Sequence, residues 1–174
     1  MPPANGEPPA HYLERADAAV MEAPGDEQQL TNALAILDQG LERHPDDTKL
    51  RSRRANLLTT LGRYEEARQD LDTLHDNTLN KEGMLLRCMV YERLEGDTEK
   101  VLGCYAGAEV AFVTNDTLSD QPDANHILAA RLAESPEAEA LLLEWQASNG
   151  AGQEPMLGAI MEMDREKLIR QFLP

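Results

Sequence analysis

Apolar residues recur along this chain in the three-and-four rhythm of helices lying on a core, with no sustained strand-like alternation. Leu30, Ala33 and Leu37 share one helical face, and Leu50, Leu57, Leu58 and Leu61 share another with Ala55 at its flank. Tyr64, Ala67, Leu71 and Leu74 follow at 3-4-3 spacing. Punctuation falls between these stripes. Pro45-Asp46-Asp47 offers an N-cap for a helix restarting near Thr48, and Gly62 supplies the left-handed residue that ends it. The segment from Thr48 to Leu79 therefore predicts an antiparallel helical hairpin.

The pattern repeats. An offset of 34 aligns Ala33, Ala67 and Val101, then Leu37, Leu71 and Tyr105, then Gly40, Leu74 and Ala108. The same offset aligns Gly62 with Gly96, Leu50 with Met84, Ala55 with Met89 and Arg53 with Arg87. So many matches at one spacing mark a repeat architecture, in which each hairpin buries its apolar face on the next.

The string Leu61-Gly62-Arg63-Tyr64-Glu65-Glu66-Ala67, with Ala55 before it and Leu71 beyond, resembles the tetratricopeptide-repeat (TPR) family. The resemblance covers roughly residues 27–113 and is strongest in the middle copy. In the third copy Thr98 stands for the aromatic, Val101 for the alanine and Glu92 for an apolar residue. In the first, the second helix fits, but an Ala-Pro-Gly-Asp turn breaks the register of the helix around Tyr12 to Met21. The resemblance implies an all-α superhelix of about three repeats, followed by a divergent C-terminal helical pair and a capping helix. The expected organisation is a disordered lead-in over 1–10, three hairpins over 11–113 and divergent helices closing the solenoid over 114–174.

Past Phe112 the register fails, and the polar run Thr114 to Asp123 reads as a loop. Ile127, Leu128 and Leu132 predict a helix stopping at Ser135-Pro136; Ser135 would cap the next, which carries Ala138, Leu141, Leu142 and Trp145. After the break at Asn149-Gly150-Ala151-Gly152, the apolar residues from Leu157 to Phe172 predict a last helix, either a cap on the solenoid or a partner-binding helix.

Charge narrows the partners. The chain carries a formal −16, divided as −7 over residues 1–50, −1 over 51–100 and −8 over 101–174. Nucleic acid and anionic membrane surfaces are disfavoured, and a basic protein or peptide is favoured by long-range steering. No apolar run is long enough to span a bilayer, so membrane insertion is not expected. The only cysteines, Cys88 and Cys104, occupy apolar helical positions and read as small buried hydrophobes rather than a disulfide, which points to a reducing cytoplasm.

Motifs for chemistry are absent. His11, His44, His75 and His126 are scattered and read as exposed helix-end residues; no P-loop, GxGxxG, GxSxG or zinc spacing occurs. The expectation is no catalysis, no metal and no cofactor.

In the family resembled, the first helix of each hairpin lines a partner-binding groove. That implies Lys49, Arg53 and Asn56 at i, i+4, i+7, with Arg87 and Val90 one repeat later, as a basic-to-polar strip able to clamp a peptide carboxylate. Arg51, Arg53 and Arg54 could instead pair with acids on neighbouring helices. The first helix lacks the Lys and Asn of the family's chaperone-tail clamp, which disfavours a heat-shock co-factor role. Small acidic proteins with about three such repeats resemble class II secretion chaperones and toxin-neutralising immunity proteins. The expected function is a cytoplasmic, non-catalytic module that holds or neutralises a cognate protein. The alternative is a scaffold using an acidic outer face at Glu65, Glu66 and Asp70.

Overall fold

Helices begin where a short polar side chain can take a free backbone N–H, and the computed structural model shows this device repeatedly. It describes residues 6–74, 78–115, 123–149 and 155–174, and among them the regular elements are all α-helices. The chain divides into two units, Met1–Leu79 and Asn80–Pro174. This division falls inside the run 11–113 that the repeat pattern treats as one block.

The first unit holds α1 (Pro9–Glu22), α2 (Glu27–Arg43), α3 (Thr48–Thr60) and α4 (Tyr64–Thr73). Asp26 accepts from the Gln29 amide at 2.9 Å and Asp47 from the Leu50 amide at 2.8 Å, each capping the helix that follows. Gly62 ends α3 in the left-handed region at φ 71°. α1 pairs with α2, α3 with α4, and α3 lies against both α1 and α2, so the two hairpins stack. Ala16, Ala33, Ala55 and Ala67 are completely buried, and their small side chains let the helix backbones approach. Gly40 goes further: a Cβ there would stand 3.0 Å from Cβ and Cγ of Tyr12. α1 therefore holds its place in the first hairpin despite the broken register.

The second unit holds α5 (Lys81–Glu95), α6 (Glu99–Asn115), α7 (Ala124–Leu132), α8 (Ala138–Asn149), α9 (Pro155–Glu162) and α10 (Arg165–Phe172). Asn80 caps α5, Asp123 caps α7 and Asp164 caps α10. Thr98, which departs from the expected aromatic, has its own use: its hydroxyl accepts from the Val101 amide at 3.3 Å at the start of α6. α5 packs on α6, α6 on α7 and α7 on α8, with α5 also against α7.

Several expectations need correction. α6 runs on to Asn115, and the rest of the expected loop, together with His75 and the Gly150-Ala151-Gly152 break, lies outside the described residues. α8 starts at Ala138 rather than Pro136, because Glu134 takes a positive φ of 56° and Ser135 turns the chain first. The last segment is two helices, since Asp164 accepts from the Glu166 and Lys167 amides and starts α10 afresh. α9 lies against α7, and α10 returns to α5.

The cysteines are the largest correction. Cys88 and Cys104 are joined by a disulfide, with Cα atoms 5.6 Å apart. Facing helices of one hairpin bring positions 16 apart side by side, so two apolar helical positions were also a bonding pair. Because disulfides persist in oxidising compartments, the thiol argument for a reducing one falls away. Among the described residues no helix is long and apolar enough to cross a membrane.

Candidate functional site

In the first unit α3 presents two faces of different use. Lys49, Arg53 and Asn56 follow one another on the first. Lys49 and Asn56 are exposed, and between them Arg53 donates through Nε to Asp17 Oδ1 of α1 at 2.6 Å. Asp17 is half-exposed, so this pair borders solvent. It shows the strip already holding one carboxylate.

The second face is structural. Arg54 grips Asp70 of α4 with two donors, at 2.7 and 2.6 Å, and donates to Asp38 of α2 at 2.9 Å. Arg51 adds a contact to Asp70 at 3.3 Å. The Asp70 hydrogen bond, before any other favourable contribution, raises the Arg54 pKa above its already high ordinary value. Asp70 is almost wholly buried, which removes it from the acidic outer face where sequence placed it; Glu65 and Glu66 are exposed. A planar fork reaching two helices at once is what arginine does better than lysine.

The two remaining groove candidates sit on α5 in the second unit. Arg87 donates to the Tyr91 hydroxyl at 2.9 Å, with its guanidinium 5.3 Å from that ring's centre. Val90 is completely buried and offers no surface to a partner. That is a correction: α5 packs against α6, α7 and α10, and Val90 belongs to this packing.

Sequence reasoning missed the most concentrated chemistry in this unit. Glu92, flagged only as an acid in an apolar position, is buried and accepts from the Tyr105 hydroxyl at 2.7 Å. Arg165, at the first turn of α10, donates to Glu92 Oε1 at 2.6 Å and to Oε2 at 3.2 Å. Asp97 at 3.8 Å and Glu134 at 3.5 Å complete the acids around that guanidinium. Burial first, then the charge of Glu92, pushes the Tyr105 phenol far above its ordinary pKa, so it stays a hydrogen-bond donor. An open cleft of 460 Å³ lies here, lined among others by Glu92, Arg93, Asp97, Arg165 and Ile169. The available signal was Glu92 itself: a buried carboxylate needs a cation, and Arg165 stood among the few bases downstream.

The histidines divide. His44 meets the Glu7 carbonyl through Nε2 at 2.9 Å, whereas His126 is buried and stacks on Phe112 at 5.8 Å, contrary to the expected exposed position. Among the described residues no group of three or more His, Cys, Asp or Glu is placed to hold a metal ion.

Comparison with known proteins bears on residues 26–80, which match the family model described as tetratricopeptide repeat. No curated protein and no solved structure matches the chain. The matched residues run from the cap of α2 through the α3–α4 hairpin to Asn80, the part that holds the buried Ala33, Ala55 and Ala67 and the Gly62 turn. Residues 26–80 thus resemble tetratricopeptide repeats, which generally mediate contacts between proteins.

Proposed function

We propose that this chain is a non-catalytic module that binds a cognate protein and holds or neutralises it, taking a carboxylate-bearing segment along the Lys49–Arg53–Asn56 strip of α3. The observation that supports this reading is the Arg53–Asp17 pair between two exposed polar neighbours. A guanidinium offers five donors, so a peptide carboxylate can join Asp17 or replace it with little rearrangement. The strip lies in the matched repeat segment, and the surrounding negative charge steers a client with basic residues elsewhere on its surface.

Capture of the client from its native source by tagged wild-type chain, followed by mass spectrometry, tests the reading against Lys49→Glu and Asn56→Ala. The client is expected with the wild type and lost with Lys49→Glu. Equal recovery by both variants would reject the strip. Proteolysis of the captured complex then separates the two roles. A short protected peptide indicates a holding chaperone, and an intact folded client whose activity is blocked indicates neutralisation.

A further inference from the structure

One face of α6 is left open along its length. Gly103, Ala106, Gly107, Val110, Val113 and Thr114 recur there at helical spacing, and all six are exposed. The opposite face goes to the core through Val101, Tyr105, Ala108 and Phe112, each fully buried. Val110 and Val113 are 61% and 63% exposed, so two branched apolar side chains stand one turn apart in solvent. After Lys100 the only charged residue of α6 is Glu109, which is half-buried and lies to one side of this face.

The face has two unlike halves. Toward its start, Gly103 and Gly107 border open space, and a Cβ at either would meet nothing within 4 Å. Gly40 differs, because there Tyr12 leaves no room for a methyl. An exposed glycine inside a helix is destabilising relative to alanine, and no close approach among the described residues accounts for these two. Toward its end the face protrudes instead, with Val110 and Val113. Reversing the helix sets hollow against protrusion. When two α6 helices lie antiparallel with Ala106 of one opposite Gly107 of the other, Gly103 of each faces Val110 of the other copy. Such a match is self-complementary, as a two-fold interface requires, and it places each helix N-terminus beside the other's C-terminus.

We propose that the open face of α6 is a homodimer surface, on which a second copy of this chain packs its own α6 antiparallel, each Val110 seated over Gly103 of the other copy. The small residues let the two backbones approach, and the valines lose their contact with water. Charge favours this occupant over a basic protein: the chain carries −16, but this face offers a cation no carboxylate to meet. The chain's own next segment, residues 116–122, has Leu118 as its one large apolar side chain and two acids besides. Nothing in the contact uses the α3 strip.

Light scattering on the full chain over rising protein concentration tests it. The wild type should pass from monomer to dimer in the micromolar range at physiological salt. Raising the salt to about 1 M should tighten the dimer about tenfold, because screening removes the repulsion between two acidic chains and leaves an apolar contact intact. Val110→Asp should weaken the dimer about a hundredfold. Gly107→Ala gives a finer reading. At concentrations where the wild type is monomeric it should raise the thermal midpoint by about 2–4 °C, since alanine favours helix and has room. At higher concentrations the same methyl should weaken the dimer about tenfold. If Val110→Asp fails to fold, Gly107→Ala decides. A dimer untouched by these substitutions overturns the proposal, as does a wild type still monomeric at millimolar concentration and high salt. A dimer that dissociates as salt rises also overturns it, in favour of a charged contact elsewhere. A monomer that floats with phosphatidylcholine vesicles, and no longer does so as Val110→Asp, overturns it in favour of a lipid surface.

Discussion

The α3–α4 hairpin of the first unit and the α5–α6 hairpin of the second are fastened at the same repeat positions by different chemistry. Arg54 and Asp70 form a bidentate ion pair; thirty-four residues on, their counterparts Cys88 and Cys104 form a disulfide. Leu58 and Leu71 are buried apolar residues, and their counterparts Glu92 and Tyr105 share a hydrogen bond. The backbone arrangement brings these positions together in both hairpins, and what it requires is a mutually satisfied pair rather than a particular one. The consequences differ. The ion pair recruits Asp38 of α2, so it also joins the first hairpin to the second. The Glu92–Tyr105 pair leaves a negative charge to balance, which recruits α10.

The comparison breaks most visibly at Asp70. Asp70→Ala should cost about 3–5 kcal/mol in urea unfolding, because it breaks a buried pair and leaves Arg54 with Asp38 alone and Arg51 with the Pro45 carbonyl. Hydrogen exchange should place the loss in residues 6–74. Next in size is the disulfide. Cys88→Ala with Cys104→Ala removes a covalent link that closes a loop of 16 residues, a change of about 3 kcal/mol by the chain-entropy argument. The equivalence can also be transplanted: Arg54→Cys with Asp70→Cys should form a second disulfide under oxidising refolding. Free-thiol titration would then read no accessible cysteine, and two reactive thiols would show that the hairpins differ in geometry.

A smaller test uses Gly40 and Ala108, which share a repeat position. Ala108 is fully buried without difficulty, whereas a methyl at Gly40 meets Tyr12 at 3.0 Å. Gly40→Ala should therefore destabilise the first unit by about 1–3 kcal/mol, outweighing alanine's helix propensity advantage. A thermal melt that rises instead would show that α1 can move away from α2.

Helix-forming stripes, turn glycines and the repeat period were legible because each depends on neighbours within one hairpin. Leu50, Leu71 and Ala67 went to the core as their spacing required, and Asp47 capped α3. What escaped depends on contacts distant in sequence. Arg53 and Arg54 looked alike on paper, yet one borders solvent with Asp17 while the other is committed to Asp70 and Asp38. Asp70 read as an outward acid because its helix is rich in acids, and only the position of Arg54 across the hairpin turns it inward. Cys88 and Cys104 each read by polarity as a buried hydrophobe, and their pairing follows from the 34-residue offset only once Arg54 is known to meet Asp70. Arg165 could be assigned to Glu92 only once α10 was known to return to α5.

The smallest difference between the hairpins is a reversal of sign. Arg63 and Glu66 bridge the start of α4 at 2.7 Å; thirty-four residues on stand Asp97 and Lys100, where Lys100 instead pairs with Glu95 at 3.7 Å. The hydrogen bond from Arg63, the main cause, holds the Glu66 carboxyl below its usual pKa. A folded-state pKa below the unfolded one means the bridge stabilises at neutral pH, and that its contribution is lost as pH falls through the lowered value. Both residues are well exposed, so solvent screens the pair and Glu66→Gln should cost only about 0.2–1 kcal/mol at neutral pH. Urea titrations at stepwise lower pH should show wild type and variant converging once Glu66 takes up its proton, and high salt should narrow the gap at neutral pH. Lys100→Gln should leave a still smaller gap from wild type at neutral pH, because Lys100 meets Glu95 only at 3.7 Å across the turn and its ammonium also rests 5.0 Å over the Tyr91 ring.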